Sequence, residues 1–309
     1  MGVFLSTLNQ TGFLFTLIVI GFILAKFKFI PDNSNTVLAK LENTVFVPAL
    51  VMGTFIKYFT VEKLGSASKL FLISFAIAFI VIPIIIVISK LVTKDKYEQN
   101  IFTYGLAFSN FGFMGNAVVS ALFPEVFMDY LIFTLPLWIL IYLWGVPVLL
   151  ISDYGVKQTL KTRLKSFVNP MFVGMIIGMI IGITGIKLPS FCINVIDTAG
   201  SCMSPIAMLL TGITVSTISF KKTFTNLRIY TVSVIRLIAL PLAFIGIAKL
   251  IPFDSTVYIC AICSLAMPLG LNTIVIPSAY GKDTSVAAGM AVISHLLSCI
   301  TIPLIFSII

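Results

Sequence analysis

Two short polar stretches inside apolar sequence hold the residues best equipped for chemistry. The first, Phe108-Ser-Asn-Phe-Gly-Phe-Met-Gly-Asn116, contains Asn110, Gly112, Gly115 and Asn116. The second, Ala266-Met-Pro-Leu-Gly-Leu-Asn272, contains Pro268, Gly270 and Asn272 and is followed by Pro277. Glycine and proline together with side-chain amides disfavour a continuous helix. A helix broken there offers bare N–H groups and a partial positive charge to an anion, or carbonyls to a cation. Asparagine adds neutral donors and acceptors beside them. The chemistry is recognition of a small solute, without bond making. A kink satisfied by its neighbours would explain either stretch alone; two matched stretches argue for a substrate-binding site.

Two titratable residues lie in comparable surroundings. Arg236 comes eight residues after Arg228 in apolar sequence, which on a helix is ~12 Å deeper. Its planar fork suits a carboxylate, of a substrate or of another helix; the alternatives are an arginine that snorkels to the surface or ties helices together. His295, the single histidine, either titrates near neutral pH and carries a coupled proton or packs as a hydrogen-bonded residue. Lys40 and Glu42 stand near the start of an apolar run and are read as snorkelling, with Asp197 as a partner for Lys40. Cys260 and Cys263 form a CxxC inside an apolar helix and are read as two small buried residues. No nucleophile has a base at a defining spacing, so no catalytic residues, cofactor or metal ligand set are expected.

The composition says what carries these residues. Of 309 residues, 59% are hydrophobic and 10% charged, against about 25% charged in soluble domains. A bilayer core of about 30 Å takes roughly 20 apolar residues per helix. Spans are expected at 5–25, 35–56, 69–90, 100–122, 126–151, 168–186, 191–217, 226–248, 256–280 and 284–308. These leave no room for a soluble catalytic domain. No P-loop is present, since Gly281-Lys282 is followed by Asp283. The first apolar run lacks a basic leader and a cleavage signature, and is expected to be a retained span.

The net charge of +9 is distributed by topology rather than for a nucleic-acid partner. One set of alternate loops holds Lys26, Lys28, Lys90, Lys94, Lys96, Lys157, Lys161, Arg163, Lys165, Lys221, Lys222, Arg228 and Lys282; the other holds Lys57, Lys63, Lys69, Lys187 and Lys249. The richer side is expected to be cytoplasmic, placing both termini outside the cell membrane.

An offset of 156–158 residues aligns Pro31 with Pro189, Pro48 with Pro205, Pro83 with Pro241 and Pro147 with Pro303, and also Gly21 with Gly178 and Gly112 with Gly270. Each unit has five spans, an odd number, so the second enters the membrane inverted. The expected fold is all-α: ten transmembrane helices as two inverted five-helix repeats, residues 1–152 and 168–309. A cytoplasmic linker at 153–167 joins them, and helices 4 and 9 are broken and crossing.

Ser109-Asn110-Phe-Gly112-Phe-Met-Gly115 resembles the fourth-span motif of the bacterial auxin efflux carrier family. Met267-Pro268 through Asn272, Ala279-Tyr280-Gly281-Lys-Asp283 and Thr301-Ile-Pro303 resemble its ninth and tenth spans; Asn169-Pro170 and Leu209-Leu-Thr-Gly212 also fit. The resemblance covers essentially the whole chain, and the bacterial members most like it are malate or malonate permeases. It implies an elevator-type secondary transporter of a small organic anion (a mono- or dicarboxylate, or an auxin-like acid). Spans 1, 2, 6 and 7 would form a scaffold, often dimeric, and spans 3–5 and 8–10 the transport domain. The chain departs from the family in having Asn116-Ala117 where an apolar residue and a proline are usual, and His295 where a small hydroxyl residue is commoner. A sodium-coupled symporter of the bile acid type is the alternative, disfavoured by the scarcity of Asp and Glu at depth. A channel would fit the breaks but not the inverted repeat.

Overall fold

The computed structural model describes residues 2–151, 159–165, 167–216, 226–251, 253–279 and 282–308. The expected cytoplasmic Lys157, Lys221 and Lys222, residues 153–158 and 166 of the expected linker, and Tyr280 and Gly281 lie outside them. The described residues are helical with no strand: α1 Gly2–Lys26, α2 Ser34–Tyr58, α3 Val61–Val92, α4 Lys96–Ala107, α5 Phe111–Leu122, α6 Phe127–Leu150, α7 Leu160–Lys165, α8 Pro170–Thr184, α9 Ser190–Ser216, α10 Leu227–Leu250, α11 Ser255–Leu265, α12 Asn272–Ala279 and α13 Ser285–Phe306. Seven of these (α1, α2, α3, α6, α9, α10 and α13) are long and apolar enough to cross a membrane. The shorter apolar helices are α5, α8 and α11. The expected spans four and nine are each two helices, α4–α5 and α11–α12.

Prolines shape these helices unequally. Pro83 and Pro205 sit inside regular α-helix, whereas Pro48 and Pro241 each follow a π-turn, Glu42–Phe46 and Ile235–Ala239. A proline ring collides with the carbonyl four residues back and removes one hydrogen bond; the wider π-turn accommodates both. The π-turn before Pro241 carries Arg236.

Small residues let four helices touch backbone to backbone. The α-carbon of Gly21 on α1 abuts the Leu209 carbonyl of α9, and Gly212 of α9 abuts Ile18 of α1. Gly178 on α8 meets the Met52 carbonyl of α2, where an added Cβ would lie 2.7 Å from the oxygen. Gly200 of α9 sits on Leu50 of α2. Without a hydrophobic drive between helices in lipid, this close approach is what dispersion and packing require. Around this group, α3, α6, α10, α11 and α13 enclose α4 and the start of α5, whose residues from Ile101 to Leu106 are all buried.

One end of the structure gathers residues from the basic loops. Arg228 pairs with Glu98 at 2.8 Å, Tyr97 donates to the Asp283 carbonyl at 3.0 Å, and Lys282 lies over the Tyr97 ring. Lys40, by contrast, is exposed and pairs with no described carboxylate; Asp197 lies beside Gly53, away from it. Glu42 does not snorkel. It is fully buried in the π-turn of α2, against α8 and α9, and neither carboxylate oxygen has a partner among the described residues. The cause is helix rotation: the π-turn adds a residue and turns Glu42 onto the interior stripe continued by Val47, Val51 and Phe55.

Candidate functional site at the helix crossing

The two breaks meet. Ser109 and Leu269 form an isolated antiparallel bridge, and the Asn110 amide donates to the Pro268 carbonyl at 2.7 Å. Ser109 Oγ donates to the Ser264 carbonyl at 2.9 Å, and the Leu269 amide to Ser294 Oγ at 3.2 Å. Backbone released from helical pairing is thus re-paired across the crossing, as a nonpolar surround demands. From Lys96 to the break is twelve helical residues, or ~18 Å, about mid-bilayer.

Four helix ends converge here, and they are sorted by polarity. α4 and α11 end at the crossing with their C-termini; α5 and α12 start there with their N-termini. Arg236, itself buried, sits on the negative side. Its Nη1 donates to the Leu106 carbonyl at 2.7 Å, Nη2 to the Ser264 carbonyl at 2.7 Å, and Nε to the Met267 carbonyl at 3.2 Å. Each helix C-terminus carries roughly half a negative charge, so two of them neutralise one guanidinium with no carboxylate. Of the readings open for Arg236, tying helices together is the one this geometry realises.

A small cavity lies on the positive side, lined by the first turns of α5 and α12 together with Tyr104, Trp138 and Ile141. Asn110, Gly112, Gly270 and Asn272 all line it. First-turn amides have no acceptor within their own helix. Asn272 Nδ2 donates to Tyr104 Oη at 3.2 Å. Among the described residues no charged side chain lines the cavity, so the polar groups on offer are amides, a phenol, Ser109 and backbone N–H.

The glycines are needed for approach. A Cβ on Gly112 would lie 2.7 Å from Trp138 Cζ2, and one on Gly115 would strike the Tyr130 hydroxyl. That hydroxyl donates to the Phe111 carbonyl at 3.1 Å. Gly115 and Pro268 therefore build the crossing without lining the cavity. Asn116, expected among the binding residues, does not line the cavity. The π-turn Phe111–Gly115 carries it to the start of the next helical turn, where it is buried outside the cavity lining.

His295 reaches the site from behind. Its Nε2 lies 3.1 Å from Asn110 Nδ2 and its Nδ1 2.7 Å from the Ala291 carbonyl. Tyr104, Trp138 and Ser294 are the members that sequence reasoning missed. Tyr104 and Trp138 sit in apolar runs where aromatic residues are ordinary, and nothing in spacing distinguishes them.

With paired half-helices aimed at a cavity, the family comparison is decisive. The model of the membrane transport protein family matches residues 8–306. The chain belongs to this family. No curated protein matches the sequence. This is a family of transporters, not of enzymes, and, among the described residues, seven helices long and apolar enough to cross a membrane accord with a multi-pass membrane protein.

Proposed function

We propose that this membrane transport protein is a secondary transporter for a small organic anion, a mono- or dicarboxylate such as malate or malonate or an auxin-like acid. The observation that carries this reading is the sorting of helix ends. Arg236 caps the two C-termini, and the cavity faces the two N-termini, Asn272 and the amides after Asn110. Such an arrangement favours negative charge without a fixed cation. Neutral donors also release their ligand more readily than a buried ion pair would.

The reading extends to architecture. The contact of Gly21 with Leu209 and that of Gly178 with Met52 exchange under the 157-residue offset of the repeat. This supports two inverted five-helix units related by a pseudo-two-fold axis. Helices α1, α2, α8 and α9, joined through their glycines, would be the scaffold and a homodimer contact; the rest, carrying the crossing, would move as an elevator. The basic end joined by Arg228 and Lys282 would face the cytoplasm, with both termini outside.

The test is ligand binding and uptake. Malonate, malate or an aromatic carboxylate from a broad panel should raise the unfolding temperature of the purified protein by mass action and enter proteoliposomes. A panel that yields neither shift nor uptake overturns the reading.

A further inference from the structure

We propose that His295 is the proton-binding site of the transport cycle, acting as a positioning residue that decides which atom of Asn110 faces the substrate. This rests on the anion-transport reading of the same cavity.

The hydrogen bonds assign the ring. A backbone carbonyl only accepts, so Nδ1, 2.7 Å from the Ala291 oxygen, carries a hydrogen. A carboxamide nitrogen only donates, so Asn110 Nδ2, 3.1 Å away, donates to the lone pair of Nε2. Both ring nitrogens are satisfied, in the neutral tautomer. The Asn110 side chain makes this one hydrogen bond among the described residues; its Oδ1 accepts none, while the residue lines the cavity. In this state the site meets an acceptor, which repels a carboxylate.

A proton taken from water onto Nε2 turns that nitrogen into a donor. It then opposes the Asn110 amino group, and rotation of the carboxamide lets Oδ1 accept from Nε2–H. The NH₂ group then points to the cavity and offers donors to an anion. One proton thus replaces an acceptor by donors and adds a positive charge behind them. Proton and anion binding must strengthen each other by the same factor. The proton leaves to water when the anion does, and no covalent bond changes.

The surroundings leave the ring free for this. From α1 and α9 it is faced by Phe15, Ile18, Phe22 and Val215, which line an apolar cavity together with it. Among the residues lining that cavity, His295 is the titratable one. On α10 the buried charge is Arg236, held by three carbonyls. On α4 the buried ionisable group is Tyr104, bonded to Asn272, and the described side chains of α12 have none. On α13 itself Cys299 bonds the His295 carbonyl. Asp197 of α9, together with Glu98 of α4 in its pair with Arg228, lies toward the helix ends. The cavity also lies between α13 and the proposed scaffold helices α1 and α9, so a sliding domain would change the ring's access to water.

Because His295 is the single histidine, ¹⁵N-histidine labelling of protein purified with a histidine-free tag reports one residue. Spectra with and without malonate between about pH 8 and pH 6 should show the Nδ1–H neutral tautomer alone and the imidazolium with malonate bound. Malonate affinity measured by thermal shift should rise about threefold or more per pH unit lowered in the wild type, and lose that slope in His295→Gln while binding persists. Malonate binding with an unchanged ¹⁵N spectrum, or an equal slope in His295→Gln, overturns the proposal. If no carboxylate binds wild-type protein at any pH, the anion-transport reading fails first. If His295→Gln does not fold, the wild-type spectra still decide.

Discussion

Arg236 Nη2 donates to the carbonyl oxygen of Ser264 at 2.7 Å, which makes a buried charge a cap for a helix end. With Leu106 and Met267 it closes both half-helices at once. Lysine offers a point charge and cannot span three acceptors. Arg236→Lys and Arg236→Met should each lower the unfolding temperature, by the equivalent of about 2–4 kcal/mol from uncapped buried carbonyls. Thermal unfolding in detergent checks this. A variant of unchanged stability with weakened anion affinity would instead make Arg236 a substrate ligand.

Gly112 lies under the indole of Trp138. Gly112→Ala should reduce uptake about tenfold or more, since the ring must leave the cavity wall or push α5 aside. Replacing the indole as well, in Gly112→Ala with Trp138→Phe, should restore part of the loss. Uptake by the single and double variants measures the coupling; simple additivity would refute the contact.

Tyr104 Oη accepts from Asn272 Nδ2 and keeps its own hydrogen for the cavity. Tyr104→Phe keeps the ring and removes one hydrogen bond of ordinary worth, about 1 kcal/mol. Anion affinity should fall roughly fivefold, read by thermal shift against ligand concentration.

Glu42 is enclosed, with no partner for either oxygen among the described residues. An ionised carboxylate in such a place costs several kcal/mol. Glu42→Gln keeps the shape without the charge and should leave the unfolding temperature equal or higher at neutral pH. Glu42→Ala should lower it by opening a void. Equal losses in both would reveal a contact that needs the carboxylate.

Gly21→Ala and Gly178→Ala place a methyl group against the carbonyls of Leu209 and Met52. Both should destabilise by similar amounts, about 1–3 kcal/mol. Gly12→Ala, where a Cβ meets nothing within 4 Å, should be neutral or stabilising. A marked asymmetry between the first two, measured by thermal unfolding, would count against paired repeats.

The sequence by itself determined the helical, membrane-spanning class and the place of both breaks. These are local properties: apolar runs of bilayer length, and glycine, proline and asparagine where a helix cannot continue. Asn110, Gly112, Gly270 and Asn272 could be singled out for that reason, and all four line the cavity. Only the tertiary structure decided what lies across from them. Asn110 and His295 are 185 residues apart, and Arg236 and Leu106 are 130 apart; no local periodicity encodes such pairs. Asn116 and Glu42 show the limit most clearly. A π-turn of one extra residue shifts a side chain by about 100° around a helix, and that small rotation took Asn116 out of the cavity and turned Glu42 inward.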